Sequence, residues 1–202
     1  MPKTGDYTRL VCPALSFLIS HPSGQKLLFD LSIRSDLENS APKVVKSISD
    51  PARDWQISVP QNVSDVLVGN GVGLDQVNTI IWSHPHFDHL GNPSLFPGTT
   101  NLVVGPGFKA TFGDGYPSRQ DAPVLSSDWK GRALDELDFG KDARALDIGM
   151  FKAIDWFGDG SFYILDAPGH AVGHLCALAR VQPDSFVLMA AVRTHSIQLS
   201  CH

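Results

Sequence analysis

Residues Trp82-Ser83-His84-Pro85-His86-Phe87-Asp88-His89 decide how this chain is read. Four potential metal ligands, His84, His86, Asp88 and His89, fall within this short run. The stretch before them, Val77 to Trp82, is apolar and β-branched, with only Asn78 strongly polar. It predicts a buried strand, parallel to its neighbours. Alternate side chains of an extended segment point the same way, so His84 and His86 can face one ion together. A turn after them lets Asp88 and His89 face a second position nearby. The competing account needs three histidines and an aspartate gathered at a strand end by accident. Imidazole nitrogens with a carboxylate and no thiolate suit a borderline metal such as zinc. Three protein ligands leave a position for water, whose pKa zinc lowers to about 7, giving a hydroxide nucleophile at neutral pH.

A second element lies downstream, Asp166-Ala167-Pro168-Gly169-His170-Ala171-Val172-Gly173-His174, after an apolar run from Phe162 to Leu165. Gly169 permits an unusual backbone angle beside His170. A Gly-His pair alone is weak evidence; behind the first cluster it gains force. His174 is read first as a polar residue that opens a strand and bonds to backbone, and second as a support for metal ligands. Upstream, Lys26 to Phe29 reads as a strand with a carboxylate, Asp30, at its tip.

The remaining chain supplies a frame. Leu15–Ile19 and Lys26–Phe29 flank His21-Pro22-Ser23-Gly24-Gln25, a hairpin connection. Ser40 to Asp50 reads as a helix capped by Ser40, with Pro42 in its first turn. A second helix is expected over Gln61–Val68, stopped by Asn70-Gly71. Leu102–Val104 is a short strand. Phe108 to Arg132 is irregular, a wall over a site or simple connection, and its Tyr116, Asp121 and Asp128 read as solvated loop residues. Phe151–Phe157 pairs with Phe162–Leu165 across Gly158-Asp159-Gly160, and His174–Val181 pairs with Phe186–Ala191 across Gln182-Pro183-Asp184. Strands interleaved with helices give an α/β or α+β class.

The bulk numbers agree with one ordinary domain: 202 residues, 43% apolar and 18% charged. A net charge of −5 without basic runs argues against nucleic acid or an anionic membrane as partner. Leu10 to Ser20 is broken by Pro13 and too short to span a bilayer. Cys12, Cys176 and Cys201 are odd in number and widely spaced, which fits a reducing, cytoplasmic setting.

The His-x-His-x-Asp-His run followed by Pro-Gly-His resembles the metallo-β-lactamase superfamily. Phe29-Asp30 resembles that family's first acidic motif. The stretches Ile80–His84, Leu102–Phe108 and Phe157–Phe162 are similar to fungal members related to N-acyl homoserine lactonases, and the likeness runs from about Leu15 to Met189. The resemblance implies a four-layer αββα sandwich. It implies that His84, His86 and His170 bind a first zinc, that Asp88 and His89 serve a second, and that Asp30 braces the metal loops through hydrogen bonds. The implied reaction is hydrolysis of a small cyclic ester by zinc-bound hydroxide, with Asp88 orienting the water. A lactam or a thioester is the next substrate.

The family pattern also places a metal-bridging aspartate after the strand matching Phe186–Met189, where this chain has Val192. Residues 1–191 are therefore expected to form a domain of this family lacking its C-terminal closing elements, and 192–202 an atypical tail. Such a chain is expected to hold two zinc ions, one, or none, and the second function class is a non-catalytic remnant. His195, Cys201 and His202 are weak substitutes for the lost ligands. The open sheet edge is expected to pair with a second copy.

Overall fold

The computed structural model describes residues 11–191. Val192, His195, Cys201 and His202, with the tail assigned to them, lie outside the described residues. Two five-stranded sheets stack face to face. The first runs β1 (Phe17–Ser20), β2 (Lys26–Phe29), β3 (Thr79–Ile81), β4 (Asn101–Val104) and β5 (Leu134–Glu136). Its first pair is an antiparallel hairpin, and β2 to β5 are mutually parallel. The second sheet runs β6 (Ala145–Ile148), β7 (Phe151–Asp155), β8 (Phe162–Asp166), β9 (Leu175–Gln182) and β10 (Ser185–Met189), all antiparallel. Parallel neighbours need crossovers, and four short helices precede β5: α1 (Pro42–Ile48), α2 (Val63–Gly69), α3 (Phe87–Leu90) and α4 (Phe108–Phe112).

Alternation along the parallel strands builds two cores at once. Leu27, Phe29, Ile81 and Val103 point between the sheets and meet Ile154, Phe162, Ile164, Leu175, Ala177 and Met189. Leu28, Ile80, Trp82, Leu102 and Val104 point the other way, against Leu67 of α2, Phe108 of α4 and the irregular segment through Ala122 and Val124. Strands buried on both faces read as continuous apolar runs. The outer face of the second sheet is different. Its cluster centres on Ala153, Leu165 and Cys176 and draws only on strand and loop residues. Among the described residues no helix joins it, and Phe186 and Leu188 on the β10 edge remain 47% and 43% exposed.

The helices sit near their expected places with different caps. Ala41, not Ser40, precedes α1, and Ser40 instead closes a short 3-10 turn over Leu37–Asn39. At the start of α2 the Asn62 backbone N–H donates to the Asp65 carboxylate at 2.9 Å, and the Asn62 side-chain oxygen accepts from Ser35 N–H. Among the described residues no helix is long and apolar enough to cross a membrane.

Candidate metal centre

The centre forms where β2, β3 and β8 end. Asp30 leaves β2 with φ +61°, a left-handed conformation that costs a non-glycine residue about 1 kcal/mol and is tolerated best by Asp and Asn. That turn aims its carboxylate, which is buried, at the next strand. One Asp30 oxygen accepts from the Ser83 backbone N–H (2.6 Å); the other accepts from Ser83 Oγ (2.7 Å) and from His89 Nδ1 (2.7 Å). The Ser83 hydroxyl proton goes to Asp30, so its oxygen accepts from His84 Nδ1 at 3.0 Å. The chain Asp30–Ser83–His84 thus fixes the tautomer of His84 and leaves its Nε2 lone pair free.

Three nitrogens then converge. His86 Nδ1 lies 3.0 Å from His84 Nε2 and 3.1 Å from His170 Nε2. A tetrahedral zinc with Zn–N near 2.05 Å would set its ligand nitrogens about 3.3 Å apart; the two separations to His86 are close to that value and all three nitrogens lie within 4.8 Å of one another, a set that suits one such ion. Among the described residues, His84, His86 and His170 are the group whose ligand atoms gather closely enough to hold a metal. His84 is buried, His86 exposed and His170 between, so the cluster opens to solvent on one side only.

Asp88 and His89 occupy the first turn of α3. His89 Nε2 faces Asp88 Oδ2 at 3.5 Å, while its Nδ1 is held by Asp30. This is the carboxylate–imidazole arrangement that orients a ligand histidine. The structure brings both residues beside the trio without joining them to it.

The electrostatics separate the groups. Burial, and then the neighbouring histidines, drive the His84 pKa far down. Burial and His170 lower that of His86. Both rings are therefore neutral and offer lone pairs. Burial also pulls on His89, but hydrogen bonds to Asp30 and Asp88 outweigh it and push its pKa up to about 9. Burial raises the Asp88 carboxyl, but the hydrogen bond and charge of His89, a backbone hydrogen bond and His86 together outweigh it and keep it below the usual range, ionised at neutral pH.

His170 sits on the loop between β8 and β9, and that loop is pinned to the first sheet. Leu175 N–H donates to Ser83 O at 2.8 Å. Gly173 packs on Gly105 so closely that a side chain at Gly105 would collide with the Gly173 carbonyl, and one at Gly173 would meet Gly105 O at 2.9 Å. Outside the cluster, Trp55 stacks on Phe87 with ring centroids 5.7 Å apart, giving the mouth an aromatic wall. Trp55 lines a shallow cleft with Leu37, Val45, Ile48 and Ile57. Position alone gave no signal for that wall, since Trp55 lies far from the motif in the chain. Asp128 is buried rather than solvated: Leu125 N–H donates to it at 3.0 Å.

Comparison with known proteins agrees with this architecture. The family model described as the metallo-beta-lactamase superfamily matches residues 9–141. The chain is 43% identical over 201 residues to gamma-lactamase FDB1 of Fusarium pseudograminearum, covering 96% of this chain and 48% of that protein. It is 46% identical to metallo-hydrolase mfmC of Annulohypoxylon moriforme, covering 96% of this chain and 51% of that one. The chain thus spans about half the length of these curated relatives. Among solved structures, a point mutant of AiiA from B. thuringiensis, with N-decanoyl-L-homoserine bound at its active site, superposes with a TM-score of 0.60. That match has 16% identity and covers 87% of this chain and 62% of that one, a likeness of fold. With the family model matching well over half its length and close relatives aligned along nearly all of it, this chain is a member of the metallo-beta-lactamase superfamily.

Proposed function

We propose that this chain forms the catalytic metal centre of a zinc-dependent hydrolase that opens a small cyclic amide or ester. The observation that carries the reading is the gathering of one ligand nitrogen each from His84, His86 and His170 within 4.8 Å of one another, with His86 Nδ1 3.0 Å from His84 Nε2 and 3.1 Å from His170 Nε2. When bound there, a divalent ion supplies Lewis acidity and an activated water. Asp88, ionised and beside the trio, orients that water and takes up its proton. His89, held by Asp30, serves a second ion. Trp55 and Phe87 present apolar surface to the ring being opened. The ester follows from the motif resemblance; identity to a gamma-lactamase supports the amide beside it. Three cysteines of which Cys12 and Cys176 are free thiols support a reducing, cytoplasmic setting.

A second reading, a chain that holds metal without turnover, is supported by Val192 at the position where the family pattern puts a bridging aspartate. One experiment separates them. The zinc-loaded chain is assayed against γ-lactams, γ-lactones and an acyl thioester, with Asp88→Asn in parallel. The proposal expects ring opening that Asp88→Asn reduces by about 100-fold or more. Zinc bound at the histidines with no turnover of any substrate establishes the second reading instead.

A further inference from the structure

Among the described residues, His174 is the one histidine at the centre that the ligand set leaves unused. It is 3% exposed, and its ring packs edge-on against two ligand candidates, 5.1 Å from His84 and 5.4 Å from His170 by ring centroids, where those two rings are themselves 4.8 Å apart. Its Nδ1 lies 2.7 Å from the carbonyl oxygen of Ala167, so Nδ1 carries the proton and donates. The Nε2 lone pair is sealed from solvent and makes no hydrogen bond. An acceptor buried without a donor loses its hydration and gains nothing in return, so packing alone would favour an apolar ring here.

The Ala167 bond explains why the residue is a histidine. Ala167 and His174 are the two feet of the loop that carries His170. Their backbones meet once, through Ala167 N–H to His174 O at 3.0 Å, and the side-chain bond is a second rung at the same place. The loop between holds three glycine or proline residues, Pro168, Gly169 and Gly173, and two of these have positive φ. Its internal bracing is a single backbone bond from His174 N–H to Ala171 O at 3.3 Å. Apart from the packing of Gly173 on Gly105, the feet of the loop fix the direction in which His170 leaves the sheet. We propose that His174 is a positioning residue: its Nδ1–H bond to Ala167 closes the foot of the loop, and its ring braces His170 beside His84, so that His170 Nε2 meets His86 Nδ1. This rests on the three-histidine reading of the centre.

Cobalt(II) titration of the full chain, followed by its visible ligand-field spectrum, tests the idea with no need for turnover. Asparagine can place an N–H where Nδ1 stands and has nothing at Nε2; glutamine reaches toward Nε2 and loses the Nδ1 donor. His174→Leu is expected to weaken cobalt binding about 10- to 100-fold and change the spectrum. His174→Asn is expected to restore binding to within about threefold of wild type; His174→Gln is expected not to. Thermal melts of the metal-free variants identify any variant that has not folded. Equal affinity and spectra in wild type and His174→Leu overturn the proposal while leaving the histidine centre standing. Rescue by glutamine rather than asparagine overturns it too, and moves the role to Nε2. A wild-type chain that takes up no cobalt overturns the three-histidine reading itself.

Discussion

The two sheets have five strands each and are finished differently. The first is buried on both sides: Leu102 and Ile80 are fully buried beneath α2, α4 and the irregular segment. The second shares the inner core but leaves Phe186 and Leu188 half open on its other side. The candidate site is divided along the same line. The doubly covered sheet supplies His84, His86, Asp88 and His89, braced through Asp30 and Ser83. The half-covered sheet supplies His170 alone, on a loop tied down at its feet. A metal centre needs most of its donors held rigidly before the ion arrives, because ordering them on binding costs conformational entropy. The better-packed layer carries that part of the work.

The contrast can be broken at several points. Leu102→Ala removes a side chain enclosed on all sides and is expected to cost about 4 kcal/mol in urea unfolding. Leu188→Ala, on the open face, is expected to cost about 1 kcal/mol or less. Equal losses at the two positions would show that something covers the second sheet as fully as the first. Asp30→Ala strands Ser83 N–H and His89 Nδ1 in the interior; about 3 kcal/mol is expected to be lost. Its metal affinity is expected to fall more than tenfold, read by competition with a chromophoric chelator.

A pH experiment probes the covered side. Burial outweighs the Leu125 hydrogen bond and the nearby Arg34 and Arg132, and pushes the Asp128 carboxyl from 3.8 up to about 7. The folded chain therefore binds that proton more tightly than the unfolded chain. The stability it contributes is complete below pH 3.8 and is lost as pH rises through about 7. Asp128→Asn keeps an oxygen to accept from Leu125 and never ionises. It is expected to gain about 4 kcal/mol on wild type between pH 4 and pH 8. A difference that does not change with pH would show that Asp128 is not held neutral. The smallest effect concerns association. If two copies pair along the β10 edge, Val187→Lys is expected to turn a sedimenting dimer into a monomer with stability changed by about 0.5 kcal/mol or less. A wild-type monomer would remove that expectation.

Much of this is legible in the sequence, and the reasons differ by element. The β3 strand and the histidine run stand out because an unbroken apolar stretch meets four ligand-type side chains. Two of the antiparallel hairpins of the second sheet, β7–β8 and β9–β10, are marked by Gly158-Asp159-Gly160 and by Gln182-Pro183-Asp184. β5 and β6 carry no such mark. Leu134-Asp135-Glu136 and Ala145-Leu146-Asp147-Ile148 are short, carry charge and lie at sheet edges, so their pairing comes from distant partners rather than local pattern. The burial of Asp128 is hidden for a related reason: in an irregular segment no periodicity tells inside from outside. The Ser40 cap fails because that residue ends one turn instead of starting the next helix. At the site, residue types are readable. The route by which Asp30, through Ser83, sets the lone pair of His84 needs the close approach of β2 and β3.

The central claim is that His84, His86 and His170 bind one metal ion together. The direct measurement is zinc per chain by elemental analysis after mild chelation, on wild type and on His170→Ala. At least one equivalent in wild type and a loss of about tenfold or more in the affinity of the variant are expected. Zinc well below one equivalent in wild type, or retention unchanged by His170→Ala, would contradict it.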